Sequence, residues 1–170
     1  MKHVLVTYAS KYGSTAEIAA AIATTLKADN IKVDLYPVQQ IELLSPYDAV
    51  IVGSAIYAGH WLHDAAEFLK RFEDELSQIP VWLFSSGPTS DEDMQRILKD
   101  ASFPKELLPL TDHITPRDIA MFHGKISMRS LNLAERLIIR AMHVTPGDFR
   151  EWDEVKQWTL HIREEIGQPA

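Results

Sequence analysis

Ser10-Lys11-Tyr12-Gly13-Ser14-Thr15 joins a short apolar strand, His3-Val4-Leu5-Val6-Thr7-Tyr8, to an amphipathic helix that starts near Ser14 and reaches about Asp29. Backbone N–H groups in such a turn, and in the first turn of the helix, have no intrahelical acceptor. They converge on one spot, where the helix dipole adds partial positive charge. Ser10, Ser14 and Thr15 each add a hydroxyl, and Gly13 lets a ligand approach the backbone closely. The stretch therefore reads as an anion site. A ligand-free alternative stands beside it, because Ser14-x-x-Glu17 has the spacing of a capping box.

The rest of the chain sets this turn in context. Ile18, Ile22 and Leu26 form one stripe of the first helix, with Ala19 and Ala23 beside them. Lys32-Val33-Asp34-Leu35-Tyr36 alternates as an edge strand does, and Ala49-Val50-Ile51-Val52-Gly53 is continuously apolar, as in a strand buried on both faces. The connection from Pro37 to Pro46 allows one helical turn around Ile41–Leu44. Ala65, Phe68, Leu69, Phe72 and Leu76 give a second helix its inner face. A fourth strand is Val81–Ser85, a helical stretch starts at Asp91-Glu92-Asp93, and residues 101–116, with three prolines, read as a loop. Asp118–His123 is a fifth strand, Leu131–His143 a helix capped by Asn132-x-x-Glu135, and Glu151–Ile166 a last helix.

Strands alternating with helices predict an α/β fold: a three-layer sandwich with a five-stranded parallel sheet of order 2-1-3-4-5 and helices on both faces. The switch point then lies between strands one and three, outside their C-terminal ends. Three loops meet there: Ser10–Thr15, then Ser54-Ala55-Ile56-Tyr57-Ala58-Gly59-His60-Trp61, then Ser85-Ser86-Gly87 with Pro88-Thr89. With 170 residues and no internal repeat or linker, one domain over 1–170 is expected.

Composition narrows the function. The chain has no cysteine, so disulfide, thiolate-metal and thiol redox chemistry are excluded, and any redox role falls to a bound cofactor. The formal charge of −7 disfavours nonspecific nucleic-acid binding. A strand follows Met1 almost at once, and no apolar run approaches the ~20 residues of a membrane span, so a cytoplasmic protein is expected. A Walker loop needs a lysine that Gly13-Ser14-Thr15 lacks, a dinucleotide fold needs more glycines than Gly13, and a phospho-accepting receiver needs acidic residues where Ala9-Ser10 and Gly53-Ser54 stand. A small phosphate beside Tyr57 and Trp61 remains, which suits a flat ring carrying a phosphate, and FMN has that shape. The ligand-free alternative for the two aromatics is core packing. His60 and His63 are spaced at i, i+3 but have no third ligand nearby, so no metal site is assigned.

These residues resemble the flavodoxin family across nearly the whole chain. Ser10–Thr15 matches the Thr/Ser-x-Thr-Gly-x-Thr phosphate loop of flavodoxins, with Tyr12 in place of a hydroxyl residue. Within the superfamily, the stretch Gly53–His60, the following Glu67-Phe68 helix and the tract from Glu135-Arg136 through Gly147-Asp148 to Trp152-Asp153 are most similar to the branch containing the quinone-dependent protoporphyrinogen oxidases. The resemblance implies bound FMN, its phosphate held by Ser10, Tyr12, Gly13, Ser14 and Thr15, and its ring lined by Ser54–Trp61 on one side and Ser85, Ser86 and Gly87 on the other. It implies a flavodoxin-like oxidoreductase with a quinone as acceptor. The alternative is a nonenzymatic electron shuttle between protein partners. Two departures stand out: Gly87 through Ser102 contains no aromatic, and Asp91-Glu92-Asp93 stands where the oxidases are basic.

Leu131–His143 carries Leu133, Ala134, Leu137, Ile138, Ala141 and Met142 on one face, and Arg136, Arg140 and His143 on the other around Ile139. The sequence alone favours a helix packed over the sheet or its edge. The alternative is peripheral contact with a redox partner or with the inner face of a membrane, where a quinone would be found.

Overall fold

The computed structural model describes residues 1–57, 59–87, 103–141 and 143–167. In chain order the elements are β1 (Lys2–Ala9), α1 (Ser14–Leu26), β2 (Ile31–Pro37), β3 (Ala49–Tyr57), β4 (His60–Trp61), α2 (His63–Arg71), α3 (Glu73–Leu76), β5 (Val81–Ser86), α4 (Leu108–Ile114), β6 (Asp118–Phe122), β7 (Lys125–Ile126), α5 (Leu133–Ala141), β8 (Gly147–Asp148) and α6 (Trp152–Gly167). The helical stretch expected from Asp91-Glu92-Asp93 to about Lys99 lies outside the described residues.

β2, β1, β3, β5 and β6 hydrogen-bond in that order, all parallel. Counting these five alone, the order is the expected 2-1-3-4-5. Register brings Tyr8 opposite Gly53, and Ser54 opposite Ser85, so the strands end together at one edge. Alternation splits the central strands between two cores. Leu5, Val50, Val52 and Leu83 meet Phe68, Leu69, Phe72 and Leu76 of the second helical region, with Leu110 and Ile114 of α4. Val4, Val6, Ile51, Trp82 and Phe84 meet Ile18 and Ile22 of α1 and Val155 and Ile162 of α6. Two apolar faces on one sheet require helices on both sides, and this gives the three layers.

Four expectations are corrected. The stretch read as a loop over 101–116 contains a 3-10 turn, Lys105–Leu107, and then α4. Pro109 lies in the first turn of α4, where a missing N–H costs nothing, and Leu107, Leu110 and Ile114 are buried at helical spacing. Thr115 ends the helix in the left-handed region (φ 50°). The turn expected at Ile41–Leu44 forms earlier, at Val38–Gln40, while Ile41 and Leu44 are buried singly under the connection. Strand three does not stop at Gly53. It continues to Tyr57 and folds back as β4, pairing Ile56 with Trp61 and Tyr57 with His60, so the aromatic loop is a hairpin turning at Gly59 (φ 83°). Gly53 has a packing role here, because a Cβ there would stand 2.0 Å from the Phe84 ring. Finally, α5 is not packed over the sheet, and none of its described residues is buried. Met142, assigned to its apolar face, lies outside the described residues.

Candidate functional site

The turn after β1 bears on its capping-box reading. Gly13 caps α1 at φ 90°, and no side chain caps the helix. The Gly13 N–H donates to Ser10 Oγ at 3.0 Å, which curls the loop. The Ser14 and Thr15 hydroxyls are buried without a hydrogen-bond partner. Glu17, which a capping box would turn back towards Ser14, instead accepts from Arg150 Nη1 at 2.6 Å. The box does not form. Two buried hydroxyls at a positive helix terminus need an acceptor, and a phosphate supplies several.

The hairpin after β3 builds the neighbouring wall. Ser54 Oγ accepts from the Leu62 N–H (3.0 Å) and donates to the Ala55 carbonyl (2.9 Å), so its hydroxyl is spent on closing the hairpin. Ala55 and Ile56 are buried in the strand. Tyr57 is 43% exposed, and its ring meets Tyr12 edge-on at 6.5 Å. Lys11 Nζ lies 5.0 Å from the Tyr12 ring and 5.8 Å from the Tyr57 ring. Partial burial raises the Tyr57 phenol pKa, so the ring stays neutral and able to donate a hydrogen bond. His60, exposed at the hairpin end, pairs with Glu106 at 2.6 Å. Trp61, expected beside Tyr57 as a ring platform, is turned inward. It is 5% exposed, donates from Nε1 to Ser85 Oγ at 2.8 Å, and meets Phe103 edge-on at 4.8 Å. Of the hairpin residues singled out from sequence, Ala58 lies outside the described residues.

The third loop starts from Ser85 and Ser86, both buried. Gly87 donates to the Phe122 carbonyl at 3.4 Å, and a Cβ there would come within 2.8 Å of the Ile56 carbonyl oxygen. Glycine therefore lets this loop close against the hairpin. Pro88, Thr89 and Asp91-Glu92-Asp93 lie outside the described residues.

Sequence reasoning missed the contribution of the segment between β6 and α6. β7 and β8 pair at its base, and Arg150, with a side chain only 3% exposed, bridges Asp148 and Glu17 of α1. Glu135 then reaches the Ser10–Thr15 turn from 124 positions away: Lys11 Nζ donates to it at 2.7 Å, and the Tyr12 hydroxyl donates to the same oxygen. The other carboxylate oxygen accepts from the Asn132 N–H while Asn132 Oδ1 accepts from the Glu135 N–H, so the capping box expected at this helix does form. The box was legible locally, but no local pattern marks a partner so far away along the chain.

This latch has a pH signature. The hydrogen bond from Lys11, followed by that from Tyr12, pulls the Glu135 carboxyl down to about 2, and Lys11 is raised in return. A carboxyl depressed in the folded state adds its full stability above its ordinary value of 4.5, and that contribution is lost progressively as pH falls from there through about 2. The Glu135 side-chain carbon, followed by NMR, should accordingly show no titration between pH 5 and pH 3, as roughly expected for such a shift. In Lys11→Met it should titrate closer to the ordinary carboxylate range. A wild-type midpoint near 4.5 would show the latch to be open in solution.

The arrangement offers a curled loop with unsatisfied hydroxyls, a helix N-terminus and a half-exposed tyrosine at the switch point of a parallel sheet. Comparison with known proteins gives the family and the fold. The flavodoxin-domain family matches residues 5–151. The protoporphyrinogen IX dehydrogenase (quinone) of Escherichia coli K12 is 23% identical, over 98% of this chain and 97% of that protein. Among solved structures, a flavodoxin from the domain Archaea aligns with TM-score 0.61 at 16% identity, covering 98% of this chain and 99% of that one. A flavodoxin variant from Pseudomonas aeruginosa aligns with TM-score 0.64 at 14% identity, covering 98% and 99%. These structures share the fold, and the family assignment rests on the match over most of the chain: the chain belongs to the flavodoxin-domain family, whose members bind FMN.

Proposed function

We propose that this chain is an FMN-dependent oxidoreductase that passes electrons to a quinone. The observation that carries the reading is the pair of buried, partnerless hydroxyls of Ser14 and Thr15 at the N-terminus of α1. They suit the FMN phosphate, which Ser10 and Gly13 let in by curling the loop. Tyr12, held by Glu135, forms the outer side of that loop. Tyr57 and Gly59 of the hairpin and Gly87 opposite them are the residues for the ring. Ser54, Ser85 and Trp61 hold that wall from behind. When bound, FMN supplies electron and hydride transfer, which no side chain of this cysteine-free protein can perform. Quinone use is supported by the likeness to the E. coli dehydrogenase, whose name includes the quinone.

The test is FMN titration followed by steady-state reduction of a soluble quinone. A yellow complex with one FMN and turnover that saturates with quinone is the expected result. Saturable exchange with a reductase, without quinone turnover, would make the chain an electron shuttle instead. Failure to bind FMN would overturn both.

A further inference from the structure

We propose that α5 docks the protein onto an anionic lipid surface. The helix is inside out. Leu133, Ala134, Leu137, Ile138 and Ala141 are spaced i, i+1, i+4, i+5 and i+8, which gathers them on one arc, and all five are exposed. The three large ones are 79%, 65% and 56% exposed, respectively. The other arc, towards the domain, holds Glu135 on Lys11 and Tyr12, Arg136 with Nε on the Leu131 carbonyl (3.0 Å), and half-buried Ile139. An ordinary surface helix turns its apolar stripe to the core. Here the polar side is tied to the domain and the apolar side is presented outward.

Charge identifies the occupant. Residues 123–150 carry Lys125, Arg129, Arg136, Arg140 and Arg150 against Glu135 and Asp148, a net +3 in a chain of −7, so the remainder carries −10. Both carboxylates of the segment are already paired, Glu135 with Lys11 and Asp148 with Arg150; of the cations, buried Arg150 is spent on Asp148 and Glu17, and Lys125 lies 3.9 Å from Glu17, which leaves Arg129, Arg136 and Arg140 to face a partner. Arg129 and Arg140 are exposed, and helical spacing sets Arg140 at the edge of the apolar arc beside Leu133 and Leu137. Apolar side chains flanked by arginines on an otherwise acidic protein match an anionic bilayer, which takes the leucines below its headgroups and the arginines among them. A second copy of the chain fits less well. A nine-residue helix is about 13 Å long and far short of the roughly 800 Å² per partner of a stable interface, and two basic segments would repel each other.

The segment is held so that docking orients the molecule. The Glu135 latch, the Arg150 bridge and the β7–β8 pairing fix α5 beside the phosphate loop. A bilayer on α5 therefore lies next to the flavin crevice, where a lipid-soluble quinone arrives. In this respect the inference rests on the function proposed above, but lipid binding is measured without turnover. Among the described residues no helix is long and apolar enough to cross a membrane, so the contact is with the surface.

The experiment is cosedimentation of the full FMN-loaded chain with vesicles of phosphatidylcholine, with and without phosphatidylglycerol, at low salt. Binding to the anionic vesicles, at least about tenfold tighter than to the neutral ones, is expected. Leu133→Ser/Leu137→Ser/Ile138→Ser should lose it by about tenfold or more while keeping FMN and its melting temperature. Arg129→Glu/Arg140→Glu should lose the preference for anionic lipid. No binding of the wild type to anionic vesicles overturns the proposal, as does equal binding of the triple variant. A dimer in the ultracentrifuge that the triple variant abolishes would give the face to a second copy and overturns it too. Quinone turnover without vesicle binding would sink the docking alone, and vesicle binding without turnover would sink the enzymatic reading alone.

Discussion

Ser14→Glu is expected to abolish FMN binding while leaving the fold at least as stable as the wild type. Residue 14 opens α1, and its hydroxyl is buried with no partner. A carboxylate in the first turn of a helix is favourable, because it answers the positive end of the dipole. The same charge placed at the proposed phosphate position is repulsive, by about 4 kcal/mol for each charge pair at about 4 Å in a partly solvated site. An affinity loss of at least about hundredfold follows. Ser14→Ala removes only one hydrogen bond and should cost about 1 kcal/mol, a several-fold loss. Fluorescence titration with FMN, run beside thermal unfolding of the apoprotein, measures both halves. If Ser14→Glu keeps FMN with its fold intact, the phosphate does not bind at this turn. If Ser14→Glu instead melts well below the wild type, the hydroxyl is a structural cap after all.

The parts of the site legible in the sequence are those whose physics is local. The turn Ser10–Thr15 follows a continuous apolar strand and precedes a 3.6-period stripe, and both periods survive folding: Val4, Leu5 and Val6 are buried, as are Ile18, Ile22 and Leu26. Asn132 and Glu135 sit three apart and cap their helix as their spacing requires. What was not legible depends on partners far apart in the chain. Ser14-x-x-Glu17 had the spacing of a capping box, but Arg150, 133 residues away, takes the carboxylate. The apolar arc of α5 looked like a buried stripe, because a helix pattern carries no sign saying which arc faces inward. Lys11 and Tyr12 settle that by holding Glu135, which lies off the apolar arc. The residues 101–116 looked like a loop because their prolines outweighed Leu107, Leu110 and Ile114, although a proline in the first turn of a helix is no obstacle.

Trp61→Ala should destabilise the protein by about 3–5 kcal/mol, the cost of truncating a buried aromatic. The indole is 5% exposed, belongs to the same core as Phe68 and Leu83, and meets Phe103 edge-on. It also donates to Ser85 Oγ, a buried hydroxyl on the central strand β5, so the truncation leaves both a cavity and a polar atom short of a partner. Trp61→Phe keeps most of the volume but not the N–H, and should lose only about 1–3 kcal/mol. Urea unfolding of the apoprotein ranks the two. The cofactor readout then separates core from site. Trp61→Phe should bind FMN with its fluorescence quenched as in the wild type, because the ring it alters does not reach the crevice. Tyr57→Ala removes the aromatic left 43% exposed beside Tyr12, so it should change stability little and weaken both quenching and affinity. The opposite pattern, with Trp61→Phe altering flavin fluorescence and Tyr57→Ala silent, would return Trp61 to the cofactor. It would also mean that the hairpin opens when FMN enters, since the indole cannot meet a ring in the crevice while it donates to Ser85.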